Sequence, residues 1–223
     1  MPSNQPNKVN ALRVGLTGGV ACGKSTIAAM FEQFGAHVAR ADDIARRLMQ
    51  PGEAVYREVV RHFGDAILNP DGSIDRPRLA ELVFTAKPDG SKRIAELNAI
   101  VHPAVIAAQD EWLREMGERG PGTIAIVEAA LIFEAGVRDH FDKIIVVACR
   151  PEQKGERFAA RTGLDSKAAR KEVERRSAAQ LSDEAKAAAA DYVIDNSGDR
   201  ASAERQAGRV FAELKEMAEH HKT

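Results

Sequence analysis

Apolar positions along the chain fall into short unbroken runs separated by longer stretches with a helical stripe. Residues 12–17 (LRVGLT) form a β-rich run ending in Gly18 and Gly19, the pattern of a buried parallel strand. Residues 25–34 then place Ile27, Met30, Phe31 and Phe34 at helical spacing, and Gly35 stops the helix. Residues 36–39 read as a second short strand, and 42–49 as a helix ending before Pro51-Gly52. From Glu53 to about Gly117 the pattern is mostly helical, broken by the turn signal Asn69-Pro70-Asp71-Gly72. Residues 123–127 and 143–147 are nearly all apolar, as central strands are. The charged stretch 150–190 is predicted helical throughout, 192–194 is a further strand, and 201–222 is a closing helix.

Strands separated by helices predict an α/β fold with a parallel sheet. The long helical stretches after the second and fourth strands read as insertions into one core. That core comprises residues 11–40, 119–149 and 190–220, with insertions at 41–118 and 150–189.

Composition narrows the picture. The chain has 223 residues, 44% hydrophobic and 29% charged, which fits a soluble globular protein. No apolar run reaches the ~20 residues of a membrane span. Residues 1–10 are polar, contain two prolines and have no apolar h-region, so they read as a frayed extension and not a secretory signal. Cys22 and Cys149 cannot make a disulfide framework and suit a reducing cytoplasm. A net charge of −1 gives no electrostatic case for nucleic acid as the main partner.

Chemistry enters with Gly18-Gly19-Val20-Ala21-Cys22-Gly23-Lys24-Ser25-Thr26. The run matches G-x-x-x-x-G-K-[ST] and lies between a strand and a helix, where a nucleoside triphosphate site requires it. Backbone N–H groups of residues 19–26 are expected to turn around phosphate oxygens at a helix N-terminus. Lys24 then reaches the β- and γ-phosphates of ATP, and the Ser25 hydroxyl ligates Mg²⁺. No N-K-x-D-like segment for reading guanine is present.

Four further segments follow in order. Residues 38–46 (VARADDIAR) with Pro51-Gly52 resemble the D-A-D-x-I-A-R…P-G of dephospho-CoA kinases. Residues 97–103 (LNAIVHP) are similar to that family's L-N-x-I-x-H-P, 128–134 (EAALIFE) to its D-x-P-L-L-F-E, and 191–198 (DYVIDNSG) to its D-x-V-I-x-N-x-G. The resemblance covers residues from about 12 to 215. It implies a P-loop kinase core, a helical substrate (CoA) domain at 41–118 and a helical lid at 150–189. The implied reaction is ATP-dependent phosphorylation of dephospho-CoA in the cytoplasm, with no nucleic-acid or membrane partner. Departures are Arg40 at the first aspartate of D-A-D, Glu128 for aspartate, Ala130 for proline, and Ala21-Cys22 for the usual Gly-Ser.

Asp42, just past the second strand, is expected to accept the substrate hydroxyl proton, although aspartate there also suits a helix N-cap, for which Asp43 is better placed. Glu128 resembles an acid holding Mg²⁺ or its waters, with a capping carboxylate as the alternative. Arg157 and Arg161 share a helix face, and the resemblance makes them lid arginines that close on the phosphates. Several other basic residues there belong to a solvated hairpin laced with Glu–Arg pairs. Asn196 and Gly198 are expected beside the adenine, or else form an ordinary turn. His102 and Trp112 read as structural. Cys22 is either an activated thiol near Lys24 or a buried, inert one. Competing readings are another small-molecule or nucleotide kinase, and an ATP-binding switch that transfers nothing.

Overall fold

The computed structural model describes residues 11–84 and 90–221; the stretch 1–10 and Lys222 lie outside them. All five strands run parallel in one sheet: β1 (Leu12–Gly18), β2 (His37–Arg40), β3 (Ile124–Glu128), β4 (Lys143–Ala148) and β5 (Tyr192–Asp195). Their order is β2-β3-β1-β4-β5, so the runs expected to be central are interior. In register, Leu12 lies opposite Ile124, and Val14 lies opposite Lys143.

Side-chain alternation distributes the apolar residues of these strands between two faces. Leu12, Val14 and Leu16 join Ile124, Ile126, Ile145 and Val147 against α1 (Lys24–Phe34) and α9 (Arg200–His220). Ala125, Val127, Ile144 and Val146 pack on the other face with Leu113, Met116, Ile132 and Phe141. Trp112 packs against this second cluster, as its structural reading anticipated. Phe31, fully buried on α1, meets Phe34 and Phe211 ring to ring. Truncating such a residue to alanine costs roughly 3–5 kcal/mol.

The stretch 150–190 differs from expectation, because it is not helical throughout. It divides into α6 (Pro151–Thr162), α7 (Ser166–Ser177) and α8 (Asp183–Ala188). Gly163 ends α6, the Asp165 carboxylate caps α7 by accepting from the Lys167 and Ala168 N–H groups, and Ser182 caps α8 through the Ala185 N–H. Phe158, Ala169 and Val173 bury a small cluster with Val20. Glu172 accepts from both Arg175 and Arg176, the expected solvated lacing.

Residues Ala41–Glu111 form a second compact unit. It contains α2 (Ala41–Leu48), α3 (Ala54–Phe63), α4 (Arg76–Val83) and the first part of α5 (Gly90–Gly117). Its core is its own: Val55, Val59, Ile67, Leu79, Val83, Val101 and Val105. The expected turn is present, closed by Gly72 N–H to Asn69 O at 2.9 Å. His102 is half-buried within α5, and burial lowers its pKa, keeping the ring neutral.

Candidate active site

The phosphate loop joins β1 to α1, and its shape is set by close approaches. Gly18 and Gly23 both have positive φ, and a Cβ would strike Val147 O at the first and the Asn196 amide at the second. Ala21 is also left-handed, at φ 58°, with a side chain attached. That conformation costs an ordinary residue ~1–2 kcal/mol. Lys24 Nζ donates to Gly18 O and Gly19 O, each at 3.0 Å, which holds the ammonium across its own loop.

Ser25 and Glu128 come together as the sequence proposed for a metal site. Ser25 Oγ donates to Glu128 Oε1 at 2.9 Å. Glu128 Oε2 is buried, accepts no hydrogen bond, and lies 3.4 Å from Arg40 Nε. Arg40 also donates to Glu32 Oε1 at 3.0 Å and Oε2 at 2.8 Å. The arginine that departs from the family pattern therefore lies between two carboxylates at the end of β2 and β3. A hydroxyl and a carboxylate are hard oxygen donors suited to Mg²⁺. Among the described residues no group of three or more His, Cys, Asp or Glu could hold a metal ion.

Basic groups from the 150–189 segment reach this loop. Arg157 Nη2 donates to Asn196 O at 2.8 Å, while its Nη1 is buried without a hydrogen-bond partner. That nitrogen would lie 3.9 Å from a Cβ on Gly23, so a spare cationic donor sits beside the loop. Lys154 pairs with Asp183, and both would meet a Cβ on Gly19. Burial works to lower the Lys154 pKa, but the bond to Asp183 and nearby thiols raise it overall, so the amine stays charged. Arg161 is exposed and lies over the Phe158 ring, 5.2 Å from its centroid. The structure thus brings Arg157 to the loop and leaves Arg161 at the surface.

Asn196 Nδ2 donates to Cys22 O at 2.9 Å, tying the end of β5 to the phosphate loop. Gly198 is exposed just before α9. Asp42 and Asp43 belong to the other unit. Strand β2 runs into α2 without a loop, so both aspartates lie in the first helical turn and Asp43 is not the cap. Asp43 instead pairs with Arg46 at 2.6 Å. Asp42 is exposed and has no side-chain hydrogen bond among the described residues.

Cys22 is fully buried, with Sγ 2.9 Å from Cys149 Sγ. The hydrogen bond to Cys149 and then burial raise the Cys22 pKa, so the activated-thiol reading of Cys22 is overturned. Cys149 takes the opposite shift, down to about 7, chiefly because Cys22 hydrogen-bonds it, with Arg157 and Lys154 adding positive charge.

Sequence reasoning missed Lys154, Asp183 and Lys186. Lys186 has a wholly buried side chain, 2.9 Å from Glu134 Oε1 and donating to Gln180 Oε1 at 2.9 Å. Glu134 closes one of the resembling segments, but nothing in an alanine-rich helix marks Lys186 as its partner.

A family model described as dephospho-CoA kinase (CoaE) matches residues 12–202. A dephospho-CoA kinase from Geobacter sulfurreducens is 41% identical over 199 residues, 89% of this chain and 96% of its own. Among solved structures, the Thermus thermophilus protein TT1252 is 33% identical with TM-score 0.73, covering 92% of this chain and 98% of its own. A Campylobacter jejuni dephospho-CoA kinase, 24% identical, covers the same shares at TM-score 0.62 and so shares the fold.

Proposed function

Because the chain belongs to the dephospho-CoA kinase family, we propose that it transfers the γ-phosphoryl group of ATP to the ribose 3′-hydroxyl of dephospho-CoA. The product is CoA, and the reaction is the last step of its biosynthesis. The observation that carries the phosphoryl-donor half is the loop Gly18–Thr26 with Lys24 and the unpartnered Arg157 Nη1 beside it. Family membership across most of the chain supports the acceptor.

In this reading the N–H groups of Gly19, Val20, Ala21, Cys22, Gly23, Lys24, Ser25 and Thr26 cradle the phosphates. Lys24 leaves its own loop carbonyls for the β- and γ-phosphate oxygens. Asn196 and Gly198 flank the adenine side. Asp42 accepts the proton of the 3′-hydroxyl as its oxygen bonds the γ-phosphorus and the bridging P–O bond to ADP breaks. Arg157 neutralises charge that develops on the transferring group, and Arg161 joins it as the segment 150–189 closes. Ser25 and Glu128 would hold Mg²⁺, which when bound supplies neutralisation of the β- and γ-phosphates. The acceptor and donor are cytoplasmic metabolites, and the enzyme acts there. Among the described residues no helix is long and apolar enough to cross a membrane.

The test is ADP release from MgATP with and without dephospho-CoA, followed by mass analysis of the acceptor. Acceptor-dependent ADP release with one added phosphate on dephospho-CoA is expected. Phosphorylation of nucleosides or nucleotides instead, with dephospho-CoA unmodified, would identify a different kinase. Tight ATP binding with no acceptor-dependent release would identify a binding switch.

A further inference from the structure

Cys22 and Cys149 are 127 positions apart in the chain, yet their sulfurs sit 2.9 Å from one another. Cys22 lies inside the phosphate loop, its carbonyl held by Asn196. Cys149 follows β4 and directly precedes Arg150, the N-cap of α6. The two thiols therefore bridge the nucleotide loop and the foot of the helix that carries Lys154 and Arg157. Both are free. A disulfide needs sulfurs ~2.05 Å apart, so a movement of under about 1 Å closes the bond.

We propose that Cys22 and Cys149 form a reversible disulfide that shuts the nucleotide site when the protein meets a peroxide. This rests on the loop being the MgATP site. The asymmetry of the pair suits the chemistry, since the attacking sulfur must be a thiolate and the other can keep its proton. Cys149, the less buried of the two, faces the positive charges of Arg157 and Lys154 and takes that role. The Cys149 thiolate attacks one peroxide oxygen and breaks the O–O bond, giving a sulfenic acid and hydroxide, which is protonated to water. Cys22 then attacks the Cys149 sulfur, the S–S bond forms, and the sulfenic hydroxyl leaves with the Cys22 proton as a second water. Two thiols are oxidised by two electrons in all, and one peroxide is reduced to two waters. Dithiol reagents reverse the step by exchange.

The cross-link acts on binding for a geometric reason. It pulls the residue between Ala21 and Gly23 toward β4, and the N–H groups on either side of it are those that hold phosphate. It also fastens the loop to the start of α6, so Lys154 and Arg157 cannot adjust to a nucleotide. Transient, redox-sensing disulfides of this kind are the ones found in cytosolic proteins.

The experiment treats the full chain with hydrogen peroxide, maps peptides without reduction, and measures MgATP affinity by calorimetry with no acceptor present. The expected result is a joined pair of peptides containing Cys22 and Cys149, two hydrogens lighter than the free pair. MgATP affinity falls at least tenfold and returns with dithiothreitol. Cys149→Ala, at a position outside the proposed catalytic set, binds MgATP like the reduced parent and keeps that affinity within twofold after peroxide. Stable sulfinic acid at Cys149 with no joined peptide would overturn the proposal, as would a joined peptide with unchanged MgATP affinity. A reduced protein that binds no MgATP would overturn it together with the nucleotide reading. One that binds MgATP and loses affinity on oxidation, yet never phosphorylates dephospho-CoA, supports it and fails only the acceptor assignment.

Discussion

Ser25 Oγ donates to Glu128 Oε1 across 2.9 Å, joining the first turn of α1 to the end of β3 over 103 positions of sequence. In the proposed reading this pair would hold Mg²⁺ beside the phosphate loop. Glu128→Gln keeps an oxygen for the Ser25 hydroxyl but removes the charge. The Mg²⁺ concentration for half-maximal rate should rise by about 10–100-fold, the usual scale for losing a group that tunes a metal site. A Mg²⁺ titration that overlays the parent would remove Glu128 from the site.

Asp42→Asn should slow the chemical step by about 10²–10⁴-fold and leave MgATP affinity nearly unchanged, as losing a positioned general base does. Asp43→Asn should remain near the parent, since Asp43 is engaged with Arg46 in its own helix. Single-turnover rates beside calorimetric affinities distinguish the two, and a reversed pattern would transfer the role to Asp43.

Arg157 and Arg161 should separate. Arg157 already touches Asn196 beside the loop, so Arg157→Ala should weaken MgATP binding as well as lower kcat. Arg161 lies over Phe158 at the surface, so Arg161→Ala should leave the MgATP Kd within about twofold and lower kcat alone. Equal loss of MgATP affinity in both variants would contradict this division.

The strands and the phosphate loop were legible because both are local signals. An apolar run or a G-x-x-x-x-G-K-[ST] spacing needs no knowledge of what lies opposite. Local signals also existed for the ends of α6 and α8, at Gly163 and Ser182, but the uniform charge of that stretch masked them. What the chain hid were pairings created by strand order. Arg40 meets Glu128 because β2 adjoins β3, and Cys22 meets Cys149 because β1 adjoins β4. Lys186 and Glu134 likewise meet from segments far apart in the chain. Position in the sequence carried no trace of these contacts.

Lys186 should prove structural. Lys186→Ala removes the only cation paired with Glu134 among the described residues and leaves the carboxylate with the Leu181 N–H at 2.9 Å alone, and should cost about 3 kcal/mol in urea unfolding. Replacing both residues together, Lys186→Met with Glu134→Leu, should recover most of that loss. A double variant no more stable than Lys186→Ala would show that the pair contributes beyond its charge balance.

Asp142 ties the strand preceding the phosphate loop to the start of β4 through Arg13, accepting from its backbone N–H at 2.8 Å and its guanidinium at 3.0 Å. Burial alone would raise the Asp142 pKa, but the Arg13 contacts outweigh it and hold it below the ordinary value. A carboxyl depressed in the folded state stabilises above its unfolded pKa of ~3.9, and that contribution is lost as pH falls through the folded value. Asp142→Asn should therefore lower the urea midpoint at pH 7, and the gap to the parent should narrow below about pH 4. A gap that stays constant to pH 2.5 would assign the effect to packing.

The position of β1 between β3 and β4 has a consequence for how the protein is made. Leu12 must await Ile124, and Val14 must await Lys143. At a synthesis rate of ~5–20 residues per second, the nascent chain carries an unpaired LRVGLT segment for roughly 6–20 s after it leaves the ribosome. During that interval the unit Ala41–Glu111, with a core made only of its own residues, can already condense. The first strand in the sequence is thus secured only after the whole second unit has been made, and the nucleotide site is assembled only once β4 and the segment carrying Arg157 have followed.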